Sequence, residues 1–127
     1  MPSPLRLSRI GDRFQQELST MLVKGEIRDY RLQGVMVTEV KVDRELSYAE
    51  IYVSALEGSE RSAEILAGFE SASGFIRKML SERIELRSFP RLRFHWDPTP
   101  EKADRIEKLI LEIKKEDEAR KKQKPAR

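Results

Sequence analysis

Two short runs of alternating apolar and polar residues, separated by only five residues, constrain the fold more than any other feature. The runs are Val35 to Val42 and Tyr48 to Ser54. Alternation is typical of a strand with one buried face, and a short connection joins two such strands as an antiparallel hairpin. The pattern predicts one face formed by Met36, Thr38, Val40 and Val42 and, in the second strand, a buried face formed by Ala49, Ile51 and Val53.

Apolar residues at helical spacing occupy a long stretch on each side of this hairpin. Leu5 to Lys24 predicts a helix with Ser3 as its N-cap, Pro4 in its first turn and Gly25 after its end. A second stretch, from Glu60 to about Glu85 with Ser59 as N-cap, is interrupted by the small residues 71–74. Glycine in a helix interior costs up to about 1 kcal/mol relative to alanine. We therefore expect a kink that divides this stretch into two helices.

A third alternating run and a terminal helix complete the order of elements. Arg91 to Trp96 predicts a strand with Leu92, Phe94 and Trp96 inward, and Thr99 with Pro100 predicts the start of the last helix. A long helical crossover allows the last strand to run parallel to a hairpin strand. The order α-β-β-α-kink-α-β plus a C-terminal helix predicts an α+β fold, a three-stranded mixed sheet with helices on one face. That packing would also bury the apolar face of the terminal helix, Ala103, Ile106, Leu109, Ile110 and Ile113.

Length and composition exclude several classes of protein. The chain of 127 residues suits one domain, and we expect that domain to span residues 1–113 and residues 114–127 to form a disordered basic tail. The absence of cysteine excludes disulfides and thiolate metal sites. No apolar run approaches the roughly 20 residues that span a bilayer, and the N-terminus lacks an apolar leader, so we expect a cytoplasmic protein.

Charges of opposite sign are separated along the chain although the net charge is only +3. Residues 39–70 contain eight acids and three bases, whereas residues 77–93 contain six bases and two acids. Residues 114–127 contain seven bases and three acids. A molecule with separated charges is oriented by the field of a polyanion, so the pattern is compatible with a nucleic-acid partner, and ordinary surface charge is an equal alternative.

Three arginines of the first predicted helix form a basic stripe beside its apolar face. Arg6, Arg9 and Arg13 fall within about 60° of one another at 100° per residue. Such a stripe can neutralise phosphates, and the alternative is a solvated helix flank. We expect phosphate contact, so replacing all three residues should weaken binding and flatten its salt dependence.

The small-residue segment carries a resemblance to a known family. The element order resembles the type II K-homology domain, in which a GXXG loop between two helices approaches phosphates. This chain has Ala72-Ser73-Gly74 at that junction, and an Ala-X-Gly kink is similar to that of the bacterial ribosome-binding factor A family. Other segments agree in order and spacing: Arg9, Ile27–Asp29, Arg31–Leu32, Thr38–Val42, Leu46–Ser54, Pro90, Leu92, Phe94 and Asp97. The chain departs from the family pattern at Tyr30, Thr99 and Ala103.

The resemblance implies a ribosome assembly factor rather than an enzyme. It implies binding to the free small (30S) ribosomal subunit and help in late maturation of 16S rRNA near its 5′ end, most needed in the cold. It implies a monomer without cofactor or small-molecule substrate. RNA contact would involve Ala72, Ser73 and Gly74, whose backbone would approach a phosphate, with Arg77 and Lys78 flanking. The structural alternative is that these small residues let two helices pack closely.

Two other functions are compatible with the sequence. The chain could be a protein–protein adaptor that uses the acidic segment 39–70 and touches RNA only incidentally. A small enzyme is disfavoured because no catalytic constellation or metal-ligand spacing surrounds His95, the only histidine. We expect His95 to be structural. Tyr48 and Tyr52 lie on the outer face of the hairpin, where we expect them to cover the sheet edge, and the alternative is that they stack on bases.

Overall fold

A computed structural model describes residues 3–123, with side chains through residue 121. The helices and strands are α1 Pro4–Val23, β1 Val35–Val42, β2 Tyr48–Ala55, α2 Ser62–Arg83, β3 Arg91–Trp96 and α3 Thr99–Gln123. Short 3-10 helices span Tyr30–Leu32 and Ser59–Arg61. The chain divides into two compact units, Met1–Asp97 and Pro98–Arg127.

The three strands form one mixed sheet in the order β1-β2-β3. Strand β1 is antiparallel to β2, and β3 runs parallel to β2 with Ile51 opposite Phe94. Helix α1 packs mainly on β1 and α2 on β3. The predicted α+β class and the mixed sheet are therefore confirmed.

Helix α1 begins and ends where its sequence signals predict. The Ser3 hydroxyl accepts a hydrogen bond from the Arg6 backbone N–H at 3.2 Å, and Pro4 occupies the first turn. After the helix Gly25 takes a positive φ of 69°, and the Glu26 N–H donates to the Met21 carbonyl. These bonds satisfy groups at both ends that the helix itself leaves unpaired.

A bulge at Thr38 changes which residues of β1 face the core. Val37 lies opposite Val53 and Glu39 lies opposite Tyr52, so the strand gains one residue between them. The Thr38 hydroxyl donates to the Asp97 carboxylate at 2.6 Å, while the Gln15 amide donates to the Val37 and Thr38 carbonyls. The extra residue reverses the alternation. The predicted single face is therefore wrong, because the buried apolar residues of β1 are Val35, Val37 and Val40.

The predicted kink in the second helical stretch is absent, because α2 is one helix from Ser62 to Arg83. Its buried residues Ile65, Phe69, Ile76 and Leu80 fall within about 60° on a continuous helix. Their burial requires the helix to stay in phase through Gly74, and it outweighs the small helix propensity cost of one glycine. The helix starts later than expected, after the 3-10 turn that begins at Ser59.

Helix α3 differs from expectation in length and in exposure. It continues to Gln123, so most of the segment expected to be disordered is helical, and residues 124–127 lie outside the described part. The apolar residues expected to be buried are exposed, with Ile106, Leu109 and Ile113 each 58% accessible. Its i,i+4 ion pairs, Glu101 with Arg105 and Asp104 with Lys108, support the helix locally.

Candidate nucleic-acid interface

The basic stripe of α1 separates into free and engaged arginines. Arg6 and Arg9 are exposed, and within the part of the chain whose side chains are described neither makes an ion pair. Arg13 pairs with Glu17 at 3.0 Å and donates to the Arg83 carbonyl at 3.4 Å. The two N-terminal arginines are therefore the members of the stripe available to a phosphate.

Arg83 links α1, α2 and the segment after α1. Its guanidinium contacts the Glu26 carboxylate at 2.7 Å and the Glu17 carboxylate at 3.8 Å. Arg13 approaches the same Glu17 and the carbonyl of Arg83. These contacts connect the C-terminal end of α2 to α1 through Arg83 and Arg13.

Ala72, Ser73 and Gly74 lie in the middle of α2 rather than at a junction of two helices. Backbone N–H groups inside an α-helix donate to the carbonyls four residues earlier, so they do not point at a ligand. The Ser73 hydroxyl donates to the Glu70 carbonyl at 2.9 Å. A Cβ at Gly74 would meet nothing within 4 Å, so close packing of helices does not require this glycine either.

Arg77 and Lys78 are neighbours with different tasks. The Arg77 guanidinium donates to the Phe89 carbonyl at 2.8 Å and to the Pro90 carbonyl at 3.1 Å, and it lies 5.6 Å from the centroid of the Phe89 ring. Arg77 thereby holds the segment before β3 against α2. Lys78 is exposed and, among residues with described side chains, has no ion-pair partner. Lys78, with Gly74 and Ser81, lies on the exposed side of α2.

A groove of about 410 Å³ lies beside the middle of α2. Ala72 and Phe75 line it on the helix, and Ile27 and Arg28 line it on the facing segment. Phe75 is 46% exposed although it is a large apolar residue. The groove thus places an accessible aromatic ring near a free guanidinium, a combination that sequence periodicity alone did not single out.

The Asp29 turn is fixed by Arg31. The Asp29 carboxylate accepts hydrogen bonds from the backbone N–H of Arg31 at 3.0 Å and from its guanidinium at 2.7 Å. These side-chain hydrogen bonds hold the pKa of Asp29 below its usual value of 3.8. The turn is an Asp-capped 3-10 helix, and Tyr30, where the family usually has proline, is exposed in it.

The outer face of the sheet is covered by contacts between its own side chains. Glu50 accepts hydrogen bonds from Arg93 and pairs with His95, while the Arg93 guanidinium lies 3.8 Å from the centroid of the Tyr48 ring. Burial alone would raise the pKa of Glu50, but the hydrogen bonds from His95 and Arg93 lower it overall. The Tyr52 and His95 rings lie 5.2 Å apart. This arrangement gives His95 and both tyrosines structural roles.

Acidic residues of segment 39–70 do not form one free surface. Arg61 pairs with Glu57 and Glu64, and Lys41 pairs with Glu39. The Asp43 carboxylate accepts from the Ser47 N–H at 2.7 Å and the Tyr48 N–H at 2.9 Å. Most of the acidic residues in this segment thus contact other groups of the same chain.

Arginines that the sequence does not place near α1 lie beside it in the structure. Arg44, from the hairpin connection, and Arg87, from the segment before β3, line the same cleft as Arg6. Arg44 lies within the segment that the charge count marks as acidic, so no sequence signal indicates its position. Arg87 lies within the basic segment 77–93, and that charge cluster is the signal that suggests it.

The described residues include neither a metal-binding cluster nor a membrane-spanning helix. Between residues 3 and 123, no group of three or more His, Asp or Glu side chains is placed to hold a metal ion. None of the helices described is both long and apolar enough to cross a bilayer.

Comparison with known proteins identifies consistent relatives. The profile of the family described as ribosome-binding factor A matches residues 6–110. The chain is 42% identical over 113 residues to ribosome-binding factor A of Alcanivorax borkumensis, covering 88% of this chain and 82% of the relative. It is 41% identical over 119 residues to that of a Marinomonas species, covering 91% of each chain.

Solved structures share the fold. The crystal structure of ribosome-binding factor A from Thermus thermophilus superposes with a TM-score of 0.61 at 22% identity, covering 71% of this chain and 93% of that one. A solution structure of a Thermotoga maritima protein described as a putative ribosome binding factor A gives a TM-score of 0.56 at 26% identity, covering 69% and 87%.

Proposed function

The chain belongs to the ribosome-binding factor A family, and from this premise we propose that it is an assembly factor that binds the free small (30S) ribosomal subunit through its 16S rRNA. We propose that it assists late maturation of this RNA near its 5′ end, with the greatest effect in the cold. In this proposal the protein acts in the cytoplasm as a monomer and catalyses no reaction itself.

The observation that carries the RNA contact is the set of basic residues left unpaired on the helices. Arg6 and Arg9 are exposed on α1, and Lys78 is exposed on α2. A positive side chain without a carboxylate partner can displace counterions from a phosphate, whereas a paired one must first give up its partner. Arg13 and Arg77 are engaged within the protein, so we assign them structural roles.

We place the contact of α2 with RNA on its exposed helix surface around Gly74. The main chain there is helical, so Ala72, Ser73 and Gly74 contribute surface shape rather than N–H donors. Lys78 supplies the charge beside them, one helical turn away from Gly74.

Internal pairing of the acidic residues supports RNA binding over the adaptor function. An adaptor that relied on segment 39–70 would need several free carboxylates on one face. Instead, Glu50 contacts Arg93 and His95 within the fold. Glu57 and Glu64 both contact Arg61.

Fractionation of cells on a sucrose gradient tests the proposed partner. We expect the protein to comigrate with free small subunits and to be absent from translating ribosomes. Comigration with translating ribosomes, or with no ribosomal particle, would contradict the proposal.

A salt titration tests the assignment of the arginines. The R6A/R9A variant should bind purified small subunits more weakly, and its plot of log affinity against log salt should flatten by about 1.4–1.8, since each phosphate contact contributes about 0.7–0.9. The matched control is R13A, on the same helix but already paired with Glu17. An equal change of slope per arginine in R13A would mean that pairing does not decide which arginine contacts RNA.

A further inference from the structure

Three guanidiniums from distant parts of the sequence line one cleft. Arg6 comes from the first turns of α1, Arg44 from the β1–β2 connection and Arg87 from the α2–β3 connection. The cleft encloses about 550 Å³. Sites for small ligands typically have roughly 300–1,000 Å³.

The cleft has an excess of positive charge. All three arginines are exposed, and among the residues with described side chains none of them makes an ion pair or a side-chain hydrogen bond. Glu45 is the single carboxylate that lines the cleft. An anion can therefore approach without displacing a partner from any of the guanidiniums.

Apolar side chains beside these arginines favour their interaction with an anion. Ile10 and Leu46 line the cleft and are only 8% and 9% exposed, and Leu86 lies beside them. A wall of low polarity beside a charge reduces screening and makes a charge-assisted hydrogen bond stronger than in water.

The turn that carries Arg44 is held in a defined shape. Leu46 has a positive φ of 56°, a conformation that is energetically costly for a residue with a side chain. Its N–H donates to the Asp43 carbonyl at 3.0 Å, and the Asp43 carboxylate accepts from the Ser47 N–H at 2.7 Å. Burial of the Leu46 side chain offsets the cost. Arg44 therefore projects from an ordered turn rather than from a mobile loop.

We propose that this arginine cleft binds a phosphate group of the RNA backbone. The inference rests on the proposed function, and it names an RNA contact at the start of α1 that includes two residues outside the helices. Guanidinium suits this ligand because its planar array of N–H donors matches phosphate oxygens bidentately. The cleft extends the contact of Arg6 to the hairpin connection, away from the middle of α2.

The test compares R44A/R87A with K24A. Lys24 is also exposed and, among the described side chains, without an ion pair, but it lies at the opposite end of α1, about 27 Å from Arg6 along the helix axis. Binding is measured by fluorescence anisotropy with a fluorescein-labelled RNA hairpin of about 20 nucleotides between 50 and 300 mM salt. The salt slope of the double variant should be smaller than that of the wild type by up to about 0.7–0.9, the contribution of one phosphate, whereas K24A should match the wild type.

Further variants and a second probe identify the ligand. R44K/R87K keeps both charges and should keep the wild-type salt slope, and circular dichroism should show the same folded state for every variant. Inorganic phosphate, titrated while arginine side-chain NMR signals are observed, should saturate only in the tens of millimolar. Saturation below 1 mM would reassign the cleft to a free phosphate ligand and overturn the RNA assignment.

Failure of the cleft and failure of the proposed function give different results. Equal salt slopes for the wild type, R44A/R87A and K24A would overturn the cleft while leaving small-subunit binding intact. Conversely, a protein absent from small-subunit fractions whose RNA slope still depends on Arg44 and Arg87 would retain the cleft and lose the proposed function.

Discussion

At the scale of single residues, two helical glycines have opposite structural requirements. A Cβ at Gly11 would lie 2.4 Å from the Val40 carbonyl oxygen, which is closer than atoms can approach without movement of the backbone. Gly11 therefore sets the distance between α1 and β1. Gly74 lies within α2, but a Cβ added there would meet nothing within 4 Å, so it imposes no such constraint.

Alanine substitutions should separate these roles. G11A should lower the free energy of unfolding by about 1–3 kcal/mol, because α1 must move away from β1. G74A should raise it by about 0.5–1 kcal/mol, because alanine is the better helix former. Urea denaturation measures both changes.

Binding of G74A to small subunits provides a separate check. Its affinity should stay within about twofold of the wild type, since no main-chain donor at this position is free. A tenfold loss of affinity in a G74A protein of normal stability would show that the backbone at Gly74 approaches RNA.

Basic residues show the same dependence on context. Arg77 and Lys78 are adjacent, yet the Arg77 guanidinium donates to the Phe89 and Pro90 carbonyls, whereas Lys78 has no ion-pair partner among the described side chains. Charge counts treat the two as equal. Only the partners of each side chain distinguish a basic residue that supports the fold from one that can meet a phosphate.

At the scale of elements, the turn between α1 and β1 depends on one carboxylate. Asp29 caps the 3-10 helix Tyr30–Leu32 and is bonded by Arg31, whose hydrogen bonds lower its pKa. The folded state thus favours the ionised carboxylate. Its contribution to stability is full above the ordinary pKa of 3.8 and is lost as the pH falls below that value towards the pKa of the folded state.

Thermal unfolding as a function of pH tests this contribution. D29N should have a lower Tm than the wild type at pH 7, and the difference should shrink as the pH falls from about 4 towards 2. D12N is the control, since Asp12 is exposed and, among the described side chains, makes no ion pair. A Tm difference for D29N that stays constant down to pH 2 would exclude the charge as its cause.

At the scale of the whole molecule, the excess of positive charge lies in one unit and the buried core lies in the other. Residues 1–97 contain fifteen bases and fifteen acids, whereas residues 98–127 contain ten bases and seven acids. The buried apolar cluster spans Ile10 to Phe94 and includes no residue of α3. The first unit is therefore neutral overall, and its attraction to a polyanion depends on how its charges are arranged.

Truncation after Asp97 separates these properties. The fragment 1–97 should fold with a Tm within about 5 °C of the full chain, because its buried apolar cluster is complete. It should bind RNA more weakly at low salt, and the difference should diminish at higher salt as screening increases. Circular dichroism and a filter-binding titration measure the two effects; an unfolded fragment would contradict the independence of the first unit.

The main elements could be predicted from the sequence, because their signals are local. Alternation placed β1 and β3 at their observed bounds, and the Ser3 cap with Gly25 bounded α1 to within one residue. The long crossover allowed β3 to run parallel to a hairpin strand, and the structure shows that this strand is β2. The family followed from the joint order of short motifs, none of which is specific alone.

Features that depend on residues far apart in the chain could not be predicted and are set by the packing of separate elements. The bulge at Thr38 is held by Gln15 and Asp97, and α2 stays continuous through Gly74 because burial on both sides requires one helical phase. Packing of separate elements likewise brings Arg6, Arg44 and Arg87 to the same cleft. Periodicity describes which side of an element is apolar, whereas the partner of a polar or charged side chain is set by the packing of separate elements.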